Sequence, residues 1–151
     1  MAKLARDIMT PNPTVVTPYE PIARAAQVMR DLDVGIVPIV NDREHMCLEG
    51  VLTDRDIAVR CVAEHHGSRC QVRDHMTAEP LDTVSPETDV AEIIAVMERE
   101  RLRRVPVVDI DHRIVGIIAQ ADLALKLGPR EPARVEHLVE AVSEPSHAVR
   151  R

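Results

Sequence analysis

An internal repeat in this 151-residue chain is the strongest sequence evidence for its fold. Residues 5–60 align with residues 72–124 with two small length changes, both in predicted loops or strand ends. The matching residues are Asp7, Met9, Thr10, Pro13, Pro18, Met29, Val37, Pro38, Gly50 and Asp56, which align with Asp74, Met76, Thr77, Pro80, Pro86, Met97, Val105, Pro106, Gly116 and Asp122. So many matches in one order indicate a duplication, in which each copy is one supersecondary unit.

Both repeats predict the same order of elements. A short helical turn (7–9, 74–76) leads to a strand (14–16, 82–84), and apolar residues at helical spacing then predict a helix. Two strands (36–40 and 47–52; 104–108 and 114–118) and a closing helix (54–63, 121–127) follow. The predicted fold is α/β (α+β), with strand-helix-strand-strand-helix repeats at 5–63 and 72–127, a linker at 64–71, and a C-terminal helix and tail at 128–151. Because neither repeat alone buries both sheet faces, we expect the two to pack together with pseudo-two-fold symmetry.

Composition narrows the function classes. The net charge of −6 argues against a nucleic-acid or anionic-membrane partner, because both favour a basic surface. No apolar run approaches the roughly 20 residues that cross a bilayer. The first residues lack the apolar stretch of a signal peptide, and three cysteines do not suggest a disulfide framework, so the expected location is the cytoplasm. Since Tyr19 is the only Phe, Trp or Tyr, a planar ligand would lie against aliphatic side chains or an arginine.

The stretch from Gly50 to Asp56 carries the clearest candidate site. A glycine in a buried strand allows a close approach to the backbone. Thr53 ends the strand and Asp56 lies one turn into the next helix, whose N-terminus attracts anions. Two interpretations are open: the hydroxyl and carboxylate contact a sugar phosphate, or they form only a capping box that starts the helix.

Each repeat resembles the CBS domain, named after cystathionine β-synthase, and the pair resembles a tandem CBS (Bateman) module. The resemblance is carried by Asp-Ile-Met-Thr at 7–10, Val-Pro-Ile-Val at 37–40 and Gly-Val-Leu-Thr-Asp-Arg-Asp at 50–56, and by Asp-His-Met-Thr at 74–77, Arg-Arg-Val-Pro-Val-Val at 103–108 and Gly-Ile-Ile-Ala-Gln-Ala-Asp at 116–122. Within the family, the chain is similar to small stress- or hypoxia-response members, some of which do not use nucleotides.

The resemblance implies a regulatory module that binds AMP, ADP, ATP or another adenosyl ligand in two clefts between the repeats, and that forms a homodimer read by a protein partner. Asp56 would hold the ribose and Thr53 the ribose or phosphate. Further ligand contacts carried over from the family pattern are Leu102 and Arg103 beside Asp56, Val34 and Gly35 beside Asp122, and Arg55, Arg103 and Arg104 for phosphate. Ala119 departs from the family's Ser or Thr, so we expect the Asp122 cleft to bind more weakly.

A second constellation joins Cys61, His65, His66 and Cys70. If the helix continued past residue 63, these side chains could surround a zinc ion. The alternative is a core cysteine followed by a solvated linker, and a Cys61–Cys70 or Cys47–Cys61 disulfide would require an oxidising compartment. His75 and His112 are expected to be exposed.

The sequence shows no catalytic nucleophile with an accompanying general base, so we expect that the protein is not an enzyme and has no resident cofactor. The other function class left open is a ligand-independent structural, interaction or stress-response protein, responsive to metal or redox state through these cysteines and histidines.

Overall fold

The computed structural model describes residues 3–127 and 131–143. The predicted tail at 144–151 lies outside the described residues. The chain forms two compact units, which we name by the repeat that supplies most of each. The repeat-1 unit comprises Asn12–Leu81 and Val108–Ile114, and the repeat-2 unit comprises Met1–Pro11, Asp82–Val107 and Val115–Arg151. Neither unit is therefore one continuous stretch of chain.

The repeat-1 unit contains helix α2 (Ile22–Leu32), strands β2 (Ile36–Val40) and β3 (Leu48–Thr53), helix α3 (Asp54–Asp56), a π-helical segment (Ile57–Val62), a 3-10 turn (Val72–Asp74) and strand β4 (Thr77–Ala78). The antiparallel sheet has the order β2-β3-β4. The apolar stripe of α2 packs on this sheet, and the shared core is Val16, Ile22, Ala25, Val28, Met29, Val37, Ile39, Leu52, Cys61 and Val72.

The repeat-2 unit contains helix α1 (Ala5–Ile8), strand β1 (Thr10–Pro11), helix α4 (Val90–Glu100), strands β5 (Arg104–Val108) and β6 (Ile114–Ala119), and helices α5 (Gln120–Leu127) and α6 (Pro132–Ser143). Its sheet has the order β1-β6-β5, and the outer ends of β5 and β6 belong to the repeat-1 unit. Leu138 and Val142 of α6 join the core of this unit, so the C-terminal helix packs against its own chain.

The opening segment of each repeat belongs to the unit formed mainly by the other repeat. Strand β1 pairs with β6, with Thr10 opposite Ile117, and β4 pairs with β3, with Ala78 opposite Gly50. A Cβ atom built on Gly50 would lie 2.7 Å from the carbonyl oxygen of Thr77. The glycine in each central strand therefore leaves room for the opening segment of the other repeat. This close packing explains why a residue without a side chain stands at these positions.

Three local expectations differ from the structure. Residues 14–16 and 82–84 form only single parallel bridges, at Val16 to Ile39 and Val84 to Val107, because Pro38 and Pro106 of the neighbouring strands have no N–H to extend a ladder. The helix expected over 54–63 keeps α geometry for one turn and then widens to π geometry. The repeats' opening turns begin two residues early, at Ala5 and Val72.

Candidate functional site

The end of β3 and the start of α3 form a reciprocal capping box. The Thr53 N–H donates to Asp56 Oδ2 at 3.0 Å, and the Asp56 N–H donates to Thr53 Oγ1 at 3.1 Å. The capping box, one of the two interpretations that the sequence left open for these residues, is therefore present. The carboxylate keeps lone pairs on Oδ1, which lies 3.8 Å from Arg60 Nε. A ligand at this corner would therefore contact Asp56 through Oδ1, and the Thr53 hydroxyl still has its O–H to donate.

Three other predicted ligand contacts belong to this unit. The Gly35 carbonyl accepts a hydrogen bond of 3.0 Å from the Asp54 N–H, so Gly35 borders the helix start of its own repeat. The side chains of Val34 and Arg55 are exposed. The capping box is therefore the most closely bonded part of this corner.

The equivalent corner of the second repeat is open. The Ala119 N–H donates to Asp122 Oδ2 at 2.7 Å, but Ala119 has no hydroxyl to return the bond. The Gln120 N–H donates instead to the Arg103 carbonyl oxygen at 2.8 Å, which holds the residues before β5 against the start of α5. Only half of the capping box is formed here.

A pocket of about 290 Å³ lies at this corner within the repeat-2 unit, lined by Arg103, Arg104, Ala119, Gln120, Ala121 and Ala124. The structure therefore brings two of the predicted phosphate contacts together with the N-terminus of the eight-residue helix α5. Leu102, which was expected beside Asp56, is partly buried and packs against the core of this unit. Two arginines and the positive end of the helix dipole favour a phosphate at this pocket.

Two cysteines and a histidine form a separate cluster in the repeat-1 unit. Ligand atoms of Cys61, Cys70 and His75 all lie within 4.8 Å of one another. Burial, reinforced by the neighbouring thiol of Cys70, raises the pKa of the Cys61 thiol. His66 Nδ1 lies 3.3 Å from His75 Nε2. His65 lies outside the cluster, and its backbone has a left-handed φ of 60°.

The expectation that His75 is exposed is wrong, since 5% of its surface is accessible. The repeat alignment could have predicted this burial, because His75 aligns with Ile8, a fully buried core residue. In both repeats the residue after the aspartate of the opening turn therefore packs inward. His112 has the expected accessible ring, which lies 2.6 Å from Glu79 through Nε2.

All three cysteines are free thiols. Cys47 lies apart from the cluster, and its sulfur contacts the backbone carbonyls of His45 at 3.9 Å and Asp111 at 3.7 Å. Among residues 3–127 and 131–143, no helix combines the length and the apolar character that crossing a bilayer needs.

Comparison with known proteins identifies both repeats. The family model of the CBS domain matches residues 5–62 and 72–128. Hypoxic response protein 1 of Mycobacterium tuberculosis is 37% identical over 123 residues, which span 82% of this chain and 84% of the relative. The CBS domain-containing protein YhcV of Bacillus subtilis is 35% identical over 128 residues, spanning 85% of this chain and 88% of the relative.

Solved structures agree with this assignment. The crystal structure of Hypoxic Response Protein I with two coordinated zinc ions has a TM-score of 0.73 at 36% identity, covering 83% of this chain and 99% of that one. The CBS domain pair of MJ0100 in complex with 5-methylthioadenosine and S-adenosyl-L-methionine has a TM-score of 0.74 at 27% identity, covering 86% and 99%. CBSX2 in complex with AMP has a TM-score of 0.68 at 27% identity, covering 81% and 93%.

These comparisons confirm the α/β fold of two duplicated units that the sequence predicted. Because the family model accounts for most of the chain and does so twice, this protein belongs to the CBS-domain family and carries two CBS domains in tandem.

Proposed function

We propose that this CBS pair is a regulatory module that binds an adenosine nucleotide or related adenosyl ligand and does not act as an enzyme. The observation that carries the proposal is the pocket of about 290 Å³ where Arg103 and Arg104 meet the start of α5. Two solved relatives, the MJ0100 CBS pair and CBSX2, were crystallised with adenosyl ligands. The same ligand class suits the charges and shape of this pocket.

Each part of an adenosine nucleotide has a matching group here. The guanidinium groups of Arg103 and Arg104 and the amides of α5 suit the phosphate. Asp122 has one carboxylate oxygen committed to the Ala119 N–H, which leaves the other for a ribose hydroxyl. Ala121 and Ala124 offer aliphatic surface for the purine. The pocket volume is close to the lower end of the range of about 300–1,000 Å³ for small-molecule sites, so a mononucleotide fits better than a larger cofactor.

We place the stronger site at Arg103 and Arg104, which reverses the order of affinity expected from Ala119 alone. The hydroxyl that Ala119 lacks would supply one hydrogen bond of about 1–3 kcal/mol, whereas the two arginines supply two bonds to a charged group of about 1.5–3 kcal/mol each. Thr53 and Asp56 form the second, weaker site, because the two arginines line the pocket at the other corner. Arg55 is an accessible phosphate contact for that site.

Regulation would follow from population shift. A ligand stabilises whichever arrangement of the chain binds it better, and a protein partner responds to that arrangement. We propose that the module acts as a homodimer in the cytoplasm, as part of a stress response. The two bound ligand classes in its solved relatives, AMP and S-adenosyl compounds, are the first to test.

The test is isothermal titration calorimetry with AMP, ADP, ATP and S-adenosylmethionine on the wild type and on Arg104→Gln. Loss of one charge-assisted contact weakens the Kd of a phosphate-bearing ligand about ten- to hundredfold. Arg99→Gln is the matched control, since it removes the same charge from an exposed arginine of α4 that pairs with Glu100. Asp122→Asn is expected to weaken all four ligands, because ribose is common to them.

Two results would contradict this function. One is the absence of any heat of binding or thermal shift with all four ligands, which would favour the ligand-independent interaction protein. The other is an Arg104→Gln Kd that matches that of Arg99→Gln, which would mean that the pocket is not the phosphate site.

A further inference from the structure

The Cys61, Cys70 and His75 cluster has the composition and spacing of a metal site. Their ligand atoms lie within 4.8 Å of one another, and all three residues are at least half-buried. In a tetrahedral site with Zn–S of about 2.3 Å and Zn–N of about 2.0–2.1 Å, ligand atoms are about 3.3–3.8 Å apart. Side-chain rotations of the ordinary size would therefore bring the three atoms to one ion.

The backbone holds the three residues in place from separate elements. Cys61 lies on the π-helical segment, and the His66 N–H bonds to its carbonyl oxygen at 2.9 Å. The Cys70 carbonyl accepts from the Ile22 N–H at 2.7 Å, which ties the loop to α2. The His75 N–H donates to the Val72 carbonyl at 3.1 Å, at the end of the 3-10 turn. A site built on such fixed backbone requires little reorganisation to bind.

His66 lies beside the cluster, next to His75. Its Nδ1 lies 3.3 Å from His75 Nε2, close to the nitrogen–nitrogen distance of about 3.3 Å that tetrahedral zinc coordination produces. The two rings are tilted by 36° with centroids 5.1 Å apart, so they are not stacked face to face. His66 is exposed, which gives an ion a route from solvent.

A purely structural role explains this arrangement less well. His75 takes the position that Ile8 fills in the other repeat, where an apolar side chain is sufficient for the core. Replacing a buried aliphatic group by an imidazole is costly unless its nitrogens gain partners. Two thiols and a second imidazole beside it supply soft ligands for a metal of the zinc type.

We propose that Cys61, Cys70 and His75, with His66 as fourth ligand, form a structural site for a zinc-like divalent cation in the repeat-1 unit. The ion would join the π-helical segment to the 3-10 turn and so fix the segment that leads to β4. This site shares no residue with the proposed nucleotide pocket, which lies in the repeat-2 unit. The outcome of the metal-binding tests is therefore independent of whether the protein binds a nucleotide.

The experiment measures zinc stoichiometry by mass spectrometry of metals and Zn²⁺ affinity by chelator competition on the full chain. Wild type is expected to hold one zinc per chain, and Cys61→Ser and Cys70→Ser to lose it. Cys47→Ser is the control, because Cys47 lies outside the cluster and should leave the stoichiometry unchanged. Co²⁺ in place of zinc should give the thiolate charge-transfer absorption of a tetrahedral site.

His75→Ile separates metal loss from misfolding, since isoleucine is the residue that the other repeat buries at this position. This variant should keep its circular dichroism and a cooperative thermal transition, yet lose both the zinc and the drop in Tm that a chelator causes in wild type. The proposal is overturned by a wild type that binds no zinc, by equal zinc content in Cys61→Ser and Cys47→Ser, or by a Cys61–Cys70 disulfide that forms in air despite saturating zinc.

Discussion

Gly50→Ala directly tests whether β4 packs on β3 across the two repeats. The added Cβ would lie 2.7 Å from the carbonyl oxygen of Thr77 and 3.2 Å from the sulfur of Met76. The oxygen is part of the backbone and sits within the β3–β4 pairing of Gly50 with Ala78 and Val51 with Thr77. It cannot move away without separating the strands, whereas the methionine side chain can rotate.

The expected cost combines two opposing effects. Overpacking a fixed backbone neighbour destabilises a protein by about 1–3 kcal/mol. Replacing glycine reduces the entropy of the unfolded chain and returns about 0.4–1 kcal/mol. We therefore expect a net loss of about 1–2 kcal/mol in the free energy of unfolding, measured by urea denaturation with an unchanged m-value.

Gly67→Ala is the control, because a Cβ at Gly67 meets no atom within 4 Å. This variant should be neutral or slightly stabilising, since only the unfolded-state effect applies. If Gly50→Ala unfolds at the same urea concentration as Gly67→Ala, the close contact between β3 and β4 does not exist and the assignment of β4 to the repeat-1 unit fails.

Two further predictions concern the helix starts and the C-terminal helix. Thr53→Val should lower the free energy of unfolding by about 1 kcal/mol, because it removes the cap to the Asp56 N–H. Ala119→Thr should raise it by a similar amount, because the new hydroxyl would complete the capping box of the second repeat. Both changes are measured by urea denaturation, and no gain in Ala119→Thr would mean that the two corners are not equivalent. A hydrogen bond to Glu98 raises the pKa of His137, so its stabilisation of α6 against α4 is present below the unfolded pKa of about 6.5 and is lost as pH rises through the folded pKa. His137→Gln should remove this part of the pH dependence of unfolding, and an unchanged difference between acidic and alkaline stability would contradict the role of the pair.

Local patterns predicted the elements that depend on neighbours in sequence. The spacing of apolar residues located α2 and α4, and β2 and β5 have the predicted bounds, 36–40 and 104–108. The position of Thr53 before Asp56 predicted the capping box as one of two open interpretations. These features follow from side-chain periodicity and from bonds that span three residues. Both depend only on residues that are close together in the sequence.

Other features required contacts between distant residues. Periodicity of apolar residues does not distinguish α from π geometry, so the change at Ile57 was not predicted. The bond from the Gln120 N–H to the Arg103 carbonyl, which holds Arg103 and Arg104 at the start of α5, was not predicted. Sequence spacing could not reveal this bond, because it connects two different strand ends.

The order of residues was sufficient to identify a duplicated α/β protein and the equivalent residues of its two repeats. Contacts between distant residues were needed to show that the opening segment of each repeat belongs to the other unit, and that His75 turns inward beside Cys61 and Cys70. The reason is that duplication and periodicity are properties of the residue order alone. The partner of an edge strand or a buried imidazole depends on which distant surface leaves room for it, as Gly50 does for Thr77.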